Sequence, residues 1–194
     1  MHSLQGILIV VATSLFSEVN AECQVSDVLP IVSVFNTSER LWYYQVNSTS
    51  ATQLDTCIFF GFISINQSDY YSWQNESYSP TVNFSERCHG RFINGTREKY
   101  GAMSLACGDD PDLEHPFEEM ELMYTEPTCS VFFSKYLDNP NWTIACKVYV
   151  TDSAVKGGPT ENCTKYFNST CRGSTAVFYD QRCKQEHITN HKLK

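Results

Sequence analysis

The sequence predicts an all-β protein: an eight-stranded antiparallel up-and-down barrel with a C-terminal helix packed outside it and disulfides as staples. Three observations carry this. Short runs rich in β-branched and aromatic residues recur from Leu41 to Val150 with turn residues between them, while helical periodicity is scarce. Closing such a meander on itself removes the exposed edges of an open sheet. The chain also carries 9 cysteines behind an apolar leader, which in an exported protein reads as a disulfide framework with one thiol left over. Finally, segment 56–65 is apolar on both faces, with Ile58, Phe60 and Phe62 on one and Cys57, Phe59, Ile63 and Ile65 on the other. A small barrel packed on a helix produces that pattern. So does one sheet of a β-sandwich, which stays the alternative fold.

Residues 1–21 read as a secretory signal peptide. Gly6 to Phe16 (GILIVVATSLF) is an apolar run followed by a small-residue site at Val19-Asn20-Ala21, which makes Glu22 the expected mature start. The run is too short to cross a bilayer, which takes about 20 apolar residues, and no later segment is apolar enough. Residues 22–183 then form one domain, and 184–194 a polar tail expected to be disordered. Within the domain a short helical turn through VLPIVSVF, capped by Ser26 or Asp27, precedes the first strand. Strands are expected at 41–47 (LWYYQVN), 56–65 (TCIFFGFISI), 69–78, 82–93, 97–106, 117–124, 129–136 (CSVFFSKY) and 143–151 (TIACKVYVT). Asn94-Gly95 is the pair that two-residue hairpins favour, because both central residues take positive φ, and Asn139-Pro140-Asn141 marks another turn. After the eighth strand, Gly157-Gly158-Pro159-Thr160 leads into ENCTKYFNSTC, with proline near a helix start and Cys163, Tyr166 and Phe167 on one apolar face. A last strand, TAVFYD (175–180), precedes Cys183.

The formal net charge of −8, with no basic stripe, argues against a nucleic-acid partner. Asn-x-Ser/Thr acceptors begin at Asn36, Asn47, Asn66, Asn75, Asn83, Asn94, Asn141, Asn162 and Asn168. A glycan needs a solvent-facing asparagine, so these positions are expected in loops or on outward strand faces. Asn162 is the exception, because its middle residue, Cys163, is expected in a disulfide. No Gly-x-Ser-x-Gly, His-Glu-x-x-His or phosphate-cradling glycine loop occurs. Cys88-His89 sets a thiol beside an imidazole, but adjacent strand residues face opposite ways and a disulfide is the expected fate of the thiol. His187 and His191 are four apart, a spacing that suits two ligands on one helix face, yet they sit in the polar tail with no further obvious ligands. No enzyme activity, metal or cofactor is expected. The chain reads as a secreted, extracellular monomer with no membrane span.

The C-terminal half is more specific. YTEPTCSVFF (124–133), ACKVYV (145–150), PTENCTKYF (159–167), STC (169–171) and VFYDQRC (177–183) together resemble the tick salivary lipocalins, the family of the histamine-binding proteins, over about Leu41 to Cys183. The resemblance implies a lipocalin barrel and the disulfides Cys57–Cys183, Cys129–Cys163 and Cys146–Cys171. Of the remaining cysteines, Cys88 with Cys107 is the candidate fourth pair, which leaves Cys23 over. The resemblance also implies a salivary protein that blunts inflammation at a bite by holding a small host mediator in an aromatic cavity.

That family's biogenic-amine motif runs Cys-Asp-aliphatic, a spacer, Glu-Leu-Trp/Tyr, a second spacer, then Cys. The matching positions here are Cys129-Ser130-Val131, Lys147-Val148-Tyr149 and Cys163, with 15 and 13 residues between them, so both carboxylates are replaced. An ammonium ligand brought into a barrel loses hydration worth several kcal/mol, which only a paired anion or dense hydrogen bonding offsets. Ser130 can accept one hydrogen bond, and Lys147 repels a cation. In the family register Ser130 and Lys147 point inward, in phase with Phe132 and with Tyr149. The expected ligand is therefore a lipid such as a fatty acid or leukotriene. Its carboxylate pairs with Lys147, and its tail lies along Trp42, Tyr44, Phe60, Phe62 and Phe132, the family's tyrosine-rich first strand placing Trp42 and Tyr44 toward the cavity.

Three alternatives stay open. Lys147 lies at the barrel mouth with its amine in water. Histamine or serotonin binds through other acids: GDDPDLEHPFEEMEL (108–122) reads as a solvated loop and an outward strand face, but Glu119 and Glu121 share a face that restores an amine site if it looks inward. A host immune protein is bound by the outer surface, a reading that a dense glycan coat disfavours, since a standard interface needs about 800 Å² per partner.

Overall fold

The computed structural model describes residues 29–48, 56–79, 82–95, 100–111, 113–138 and 144–183. The expected signal peptide, Ser26 and Asp27, Cys23, the expected turn Asn139-Pro140-Asn141 and the tail with His187 and His191 lie outside the described residues, as does the start of the fifth expected strand. Along the chain run α1 (Pro30–Phe35), β1 (Leu41–Ser48), β2 (Cys57–Ile65), β3 (Asp69–Ser79), β4 (Val82–Ile93) and β5 (Ala102–Gly108). They are followed by β6 (Glu118–Glu126), β7 (Cys129–Tyr136), β8 (Ile144–Thr151), α2 (Glu161–Thr170) and β9 (Ser174–Val177). Every strand of the sheet pairs antiparallel with its sequence neighbour from β2 to β8, β8 pairs with β1, and β1 returns to β2 through Leu41↔Phe60 and Trp42↔Phe59. The eight-stranded barrel is thereby closed, and the sandwich alternative falls. β9 adds a short outer strand along Gln45–Ser48 of β1.

The inner and outer faces of the barrel are both apolar over β1, β2, β7 and β8, for different reasons. Inside, Leu41, Tyr43, Phe60, Phe132 and Tyr149 pack with residues of β3 to β6. Outside, Trp42, Phe59, Val131, Val148 and Val150 are covered by α2, through Cys163 and Phe167, and by Tyr179. Three disulfides fasten this outer layer: Cys57–Cys183, Cys129–Cys163 and Cys146–Cys171. The fourth, Cys88–Cys107, joins residues that face each other in the β4–β5 ladder.

The two helices are held in different ways. α2 has a side-chain cap: the Thr160 hydroxyl oxygen accepts from the Cys163 backbone N–H at 3.2 Å, as an N-cap threonine should, and the same hydroxyl donates to Glu126. α1 starts at Pro30, whose ring presets the helical φ, and its N-cap Leu29 offers no side-chain bond. Six residues are too few for a helix to persist alone. Burial holds this one: Ile31 and Phe35 are buried among the inner residues, and the Phe35 ring lies 4.8 Å from that of Tyr70 and 5.7 Å from that of Phe132. Gly101, with φ +85°, permits the close approach, since a Cβ there would stand 2.8 Å from Ile31. α1 therefore plugs one end of the barrel.

Candidate functional site

On β6 the inward phase is Glu118, Met120, Leu122, and on β8 it includes Ala145, Lys147 and Tyr149. That brings a carboxylate and an ammonium together in the barrel: Lys147 Nζ lies 2.5 Å from Glu118 Oε1, with Lys147 4 % and Glu118 2 % exposed. The ammonium also sits over two aromatic rings, 4.6 Å from the centre of Tyr136 and 5.2 Å from that of Tyr43, a favourable cation–π placement. Burial opposes the charged form of Lys147, but the Glu118 carboxylate, with smaller help from Tyr136 and Tyr43, more than offsets it and holds the amine's pKa above its ordinary value. Burial likewise pushes the phenols of Tyr43 and Tyr149 up, so both remain neutral donors. The Ser134 hydroxyl, fully buried on the same inner face of β7, has no hydrogen-bond partner among the described residues.

At the α1 end a groove of about 650 Å³ opens beside the plug. Its walls are α1 and the chain to Leu41, the β6–β7 turn from Thr125 to Ser130, and the inward side chain of Tyr149. Among the described residues that line it, the two charged ones, Glu39 and Glu126, are acidic. Glu39 accepts from the Ser153 backbone N–H at 2.7 Å, while Glu126 accepts from the Tyr124 hydroxyl at 3.1 Å and from Thr160. The Ser130 hydroxyl is 3.0 Å from that of Thr125. Glu126 also lies near the sulfurs of Cys129 and Cys163, but those sulfurs are bonded to each other and are not free thiolate ligands.

Five of the residues singled out from sequence meet inside the barrel. Phe60 and Phe132 flank Tyr149, at 5.7 and 5.6 Å between ring centres, Lys147 lies one step deeper and Ser130 one step nearer the groove. The others are corrected by the structure. Trp42 is on the outer face, fully buried between Phe59 and Tyr179, with its indole N–H donating to Asp152 Oδ1 at 2.8 Å. Tyr44 shares that face, stacked on Tyr179 at 5.7 Å, with its hydroxyl against Gly158, whose φ of +79° lets the backbone turn there. Phe62 keeps the phase of Phe60, opposite the buried Ser72, but its ring is 39 % exposed and is not part of the packed interior. Lys147 is neither at a wet mouth nor an unmatched cation. Glu119 and Glu121 face outward, and the inward acid is their neighbour Glu118.

Asn47 is corrected too: it is 7 % exposed and its Nδ2 donates to the Cys171 carbonyl at 3.4 Å, so the outer layer covers the atom that would carry a glycan. Asn36, Asn66, Asn83, Asn94, Asn162 and Asn168 are exposed, Asn75 is half-buried, and Asn141 lies outside the described residues.

A closed antiparallel barrel with an α-helix against its outer wall and a plugged end defines a lipocalin-type protein. The sequence model described as tick histamine binding protein matches residues 32–185, and the chain belongs to that family. Among solved structures it is similar to Japanin from Rhipicephalus appendiculatus bound to cholesterol, with a TM-score of 0.55 and 11 % identity over 80 % of this chain and 99 % of that one. It is also similar to the siderocalin Ex-FABP, with a TM-score of 0.54 and 8 % identity over 74 % of this chain and 94 % of that one. At these identities the likeness speaks for the fold. No curated protein matches the sequence.

Proposed function

We propose that this chain is a secreted salivary protein that sequesters a small host mediator, and that the mediator is a compact organic cation of the biogenic-amine class held at the α1 end of the barrel. The observation that carries this reading is the charge of the groove. Its volume, about 650 Å³, suits a small ligand, and among the described residues its charged wall side chains are the carboxylates Glu39 and Glu126. Carboxylates near a partly desolvated site favour a cation and disfavour an anion. Thr37, Thr128 and Ser130 add hydroxyl acceptors, and Leu41 and Tyr149 form the apolar side. The family's description as histamine-binding and cysteines paired as in an oxidising compartment support the same reading. Among the described residues no helix is long and apolar enough to cross a membrane.

The acidic-lipid reading keeps one observation in its favour, the Lys147 ammonium among inner aromatic rings. A carboxylate ligand there must displace Glu118 or sit beside it, which makes that reading second. Calorimetric titration with histamine, serotonin, arachidonate and leukotriene B4 decides between them, using protein secreted from a eukaryotic host. We expect an amine to bind and Glu39→Gln to weaken it severalfold without changing the fold. Arachidonate or leukotriene binding that Lys147→Met abolishes, with no amine bound, overturns the proposal in favour of the lipid.

A further inference from the structure

We propose that Asn75 carries an N-glycan whose first N-acetylglucosamine is seated rather than free: it lies in a niche over Gly61 and packs against the indole of Trp73. Residues of β3 alternate, so Tyr71, Trp73 and Asn75 share the outer face while Tyr70 and Ser72 are buried inside. Trp73 is 41 % exposed, a large apolar surface left beside a glycosylation acceptor two residues away on the same face. Two residues of strand span roughly 6–7 Å, the scale of one sugar ring beside its attachment point.

The neighbouring strands differ on the two sides of that indole. On the β4 side its register partner is Arg87, whose guanidinium carbon stands 5.6 Å from the ring centre. On the β2 side its register partner is Gly61, which has no side chain. The Asn75 amide nitrogen reaches into the space so left: a Cβ on Gly61 would lie 3.6 Å from Asn75 Nδ2.

The orientation of that amide is fixed at both ends. Asn75 Oδ1 accepts from the Ser85 hydroxyl at 3.0 Å, and Nδ2 donates to the Trp73 carbonyl at 3.2 Å. In glycosylation the Nδ2–C1 bond forms as the bond from C1 to the pyrophosphate of a lipid-linked oligosaccharide donor breaks, and one Nδ2 hydrogen leaves as a proton. The remaining Nδ2–H is the one that the Trp73 carbonyl holds, so the sugar takes the position of the other hydrogen. From there the C–H face of the ring meets the indole and water is excluded from both, an apolar contact of the kind aromatic side chains make best. Asn66, by contrast, uses its Oδ1 to accept from the Ser68 and Asp69 backbone N–H groups in a turn.

The test is hydroxyl-radical footprinting of Trp73 by mass spectrometry on protein from a eukaryotic secretory host, trimmed with an endoglycosidase that leaves a single N-acetylglucosamine. The same digest reads occupancy at Asn75, Asn36 and Asn66. We expect Trp73 to be oxidised severalfold less in the trimmed wild type than in Asn75→Gln. Gly61→Val, which fills the niche, should restore the higher rate while leaving Asn75 occupied, and should change nothing in the Asn75→Gln background. Equal oxidation with and without the sugar, or an empty Asn75 in a chain glycosylated at Asn36 and Asn66, overturns the proposal. A chain bare at all three positions overturns it together with the secretory reading.

Discussion

An ammonium and a carboxylate that have lost nearly all contact with water each carry a desolvation cost of several kcal/mol, and only close pairing returns it. Lys147 and Glu118 meet that condition at 2.5 Å, with the Tyr136 ring against the cation. The pair is therefore more sensitive to losing one member than to losing both. Lys147→Met and Glu118→Leu should each lower the unfolding free energy by about 3–5 kcal/mol, while the double variant Lys147→Met/Glu118→Leu should fall within about 1 kcal/mol of the wild type or above it. Urea denaturation of the four proteins forms the cycle that checks this, and equal, additive losses would show that the two charges do not act as a pair. The pH dependence follows from the direction of the lysine shift. Burial lowers the Lys147 pKa, Glu118 raises it by more, and the folded value ends above the ordinary 10.5. A group whose folded pKa is raised contributes fully below its unfolded pKa and loses that contribution only as pH climbs through the folded one. The lysine's contribution is thus expected to persist on the alkaline side up to about pH 10 and to fade in stronger alkali.

At the scale of elements, the two helices give opposite predictions because one is capped and the other is buried. Phe35→Ala in α1 should cost about 3–5 kcal/mol, the range for emptying a buried aromatic site, and should loosen the plugged end. Thr160→Ala should cost about 1 kcal/mol, with Thr160→Ser recovering most of it, because only the cap to α2 and the bond to Glu126 are lost. Thermal or urea unfolding ranks the two, and a larger effect at Thr160 would mean that α1 is not held by its buried ring. What the sequence disclosed follows the same division. Strand positions were legible because period-two patterns and turn residues mark them, and β7 at 129–136 has the bounds expected of it. The side of β1 that faces the cavity was not legible. An alternating strand names its inner face only when the other face is wet, and here the outer layer buries Trp42 as deeply as the barrel buries Leu41. The inward acid was hidden in a run of carboxylates, although its phase with Met120 and Leu122 was the available signal. Phe62 keeps the inward phase opposite Ser72 and is exposed all the same, which alternation alone does not announce.

Over the whole molecule, the barrel closes by its own hydrogen bonds, and the disulfides act mainly outside it, three of the four binding the C-terminal layer to the outer wall. Their weight follows from the loops they close. Cys57–Cys183 spans 126 residues of sequence and Cys88–Cys107 spans 19. In the chain-entropy model the first bridge contributes roughly 5 kcal/mol and the second roughly 3 kcal/mol, since the term grows with the logarithm of loop length. Replacing Cys57 and Cys183 together by alanine should therefore destabilise the protein more than replacing Cys88 and Cys107. Only the first change should also loosen the cover over Trp42, whose indole is packed against Tyr179 next to the lost bridge. Guanidinium unfolding followed by tryptophan fluorescence and near-ultraviolet circular dichroism reads both effects. If removing Cys57–Cys183 costs no more than removing Cys88–Cys107 and leaves the fluorescence of the folded state unchanged, the outer layer is held by α2's two bridges and its apolar contacts alone. The longest loop would then add nothing to the face on which Trp42 is buried.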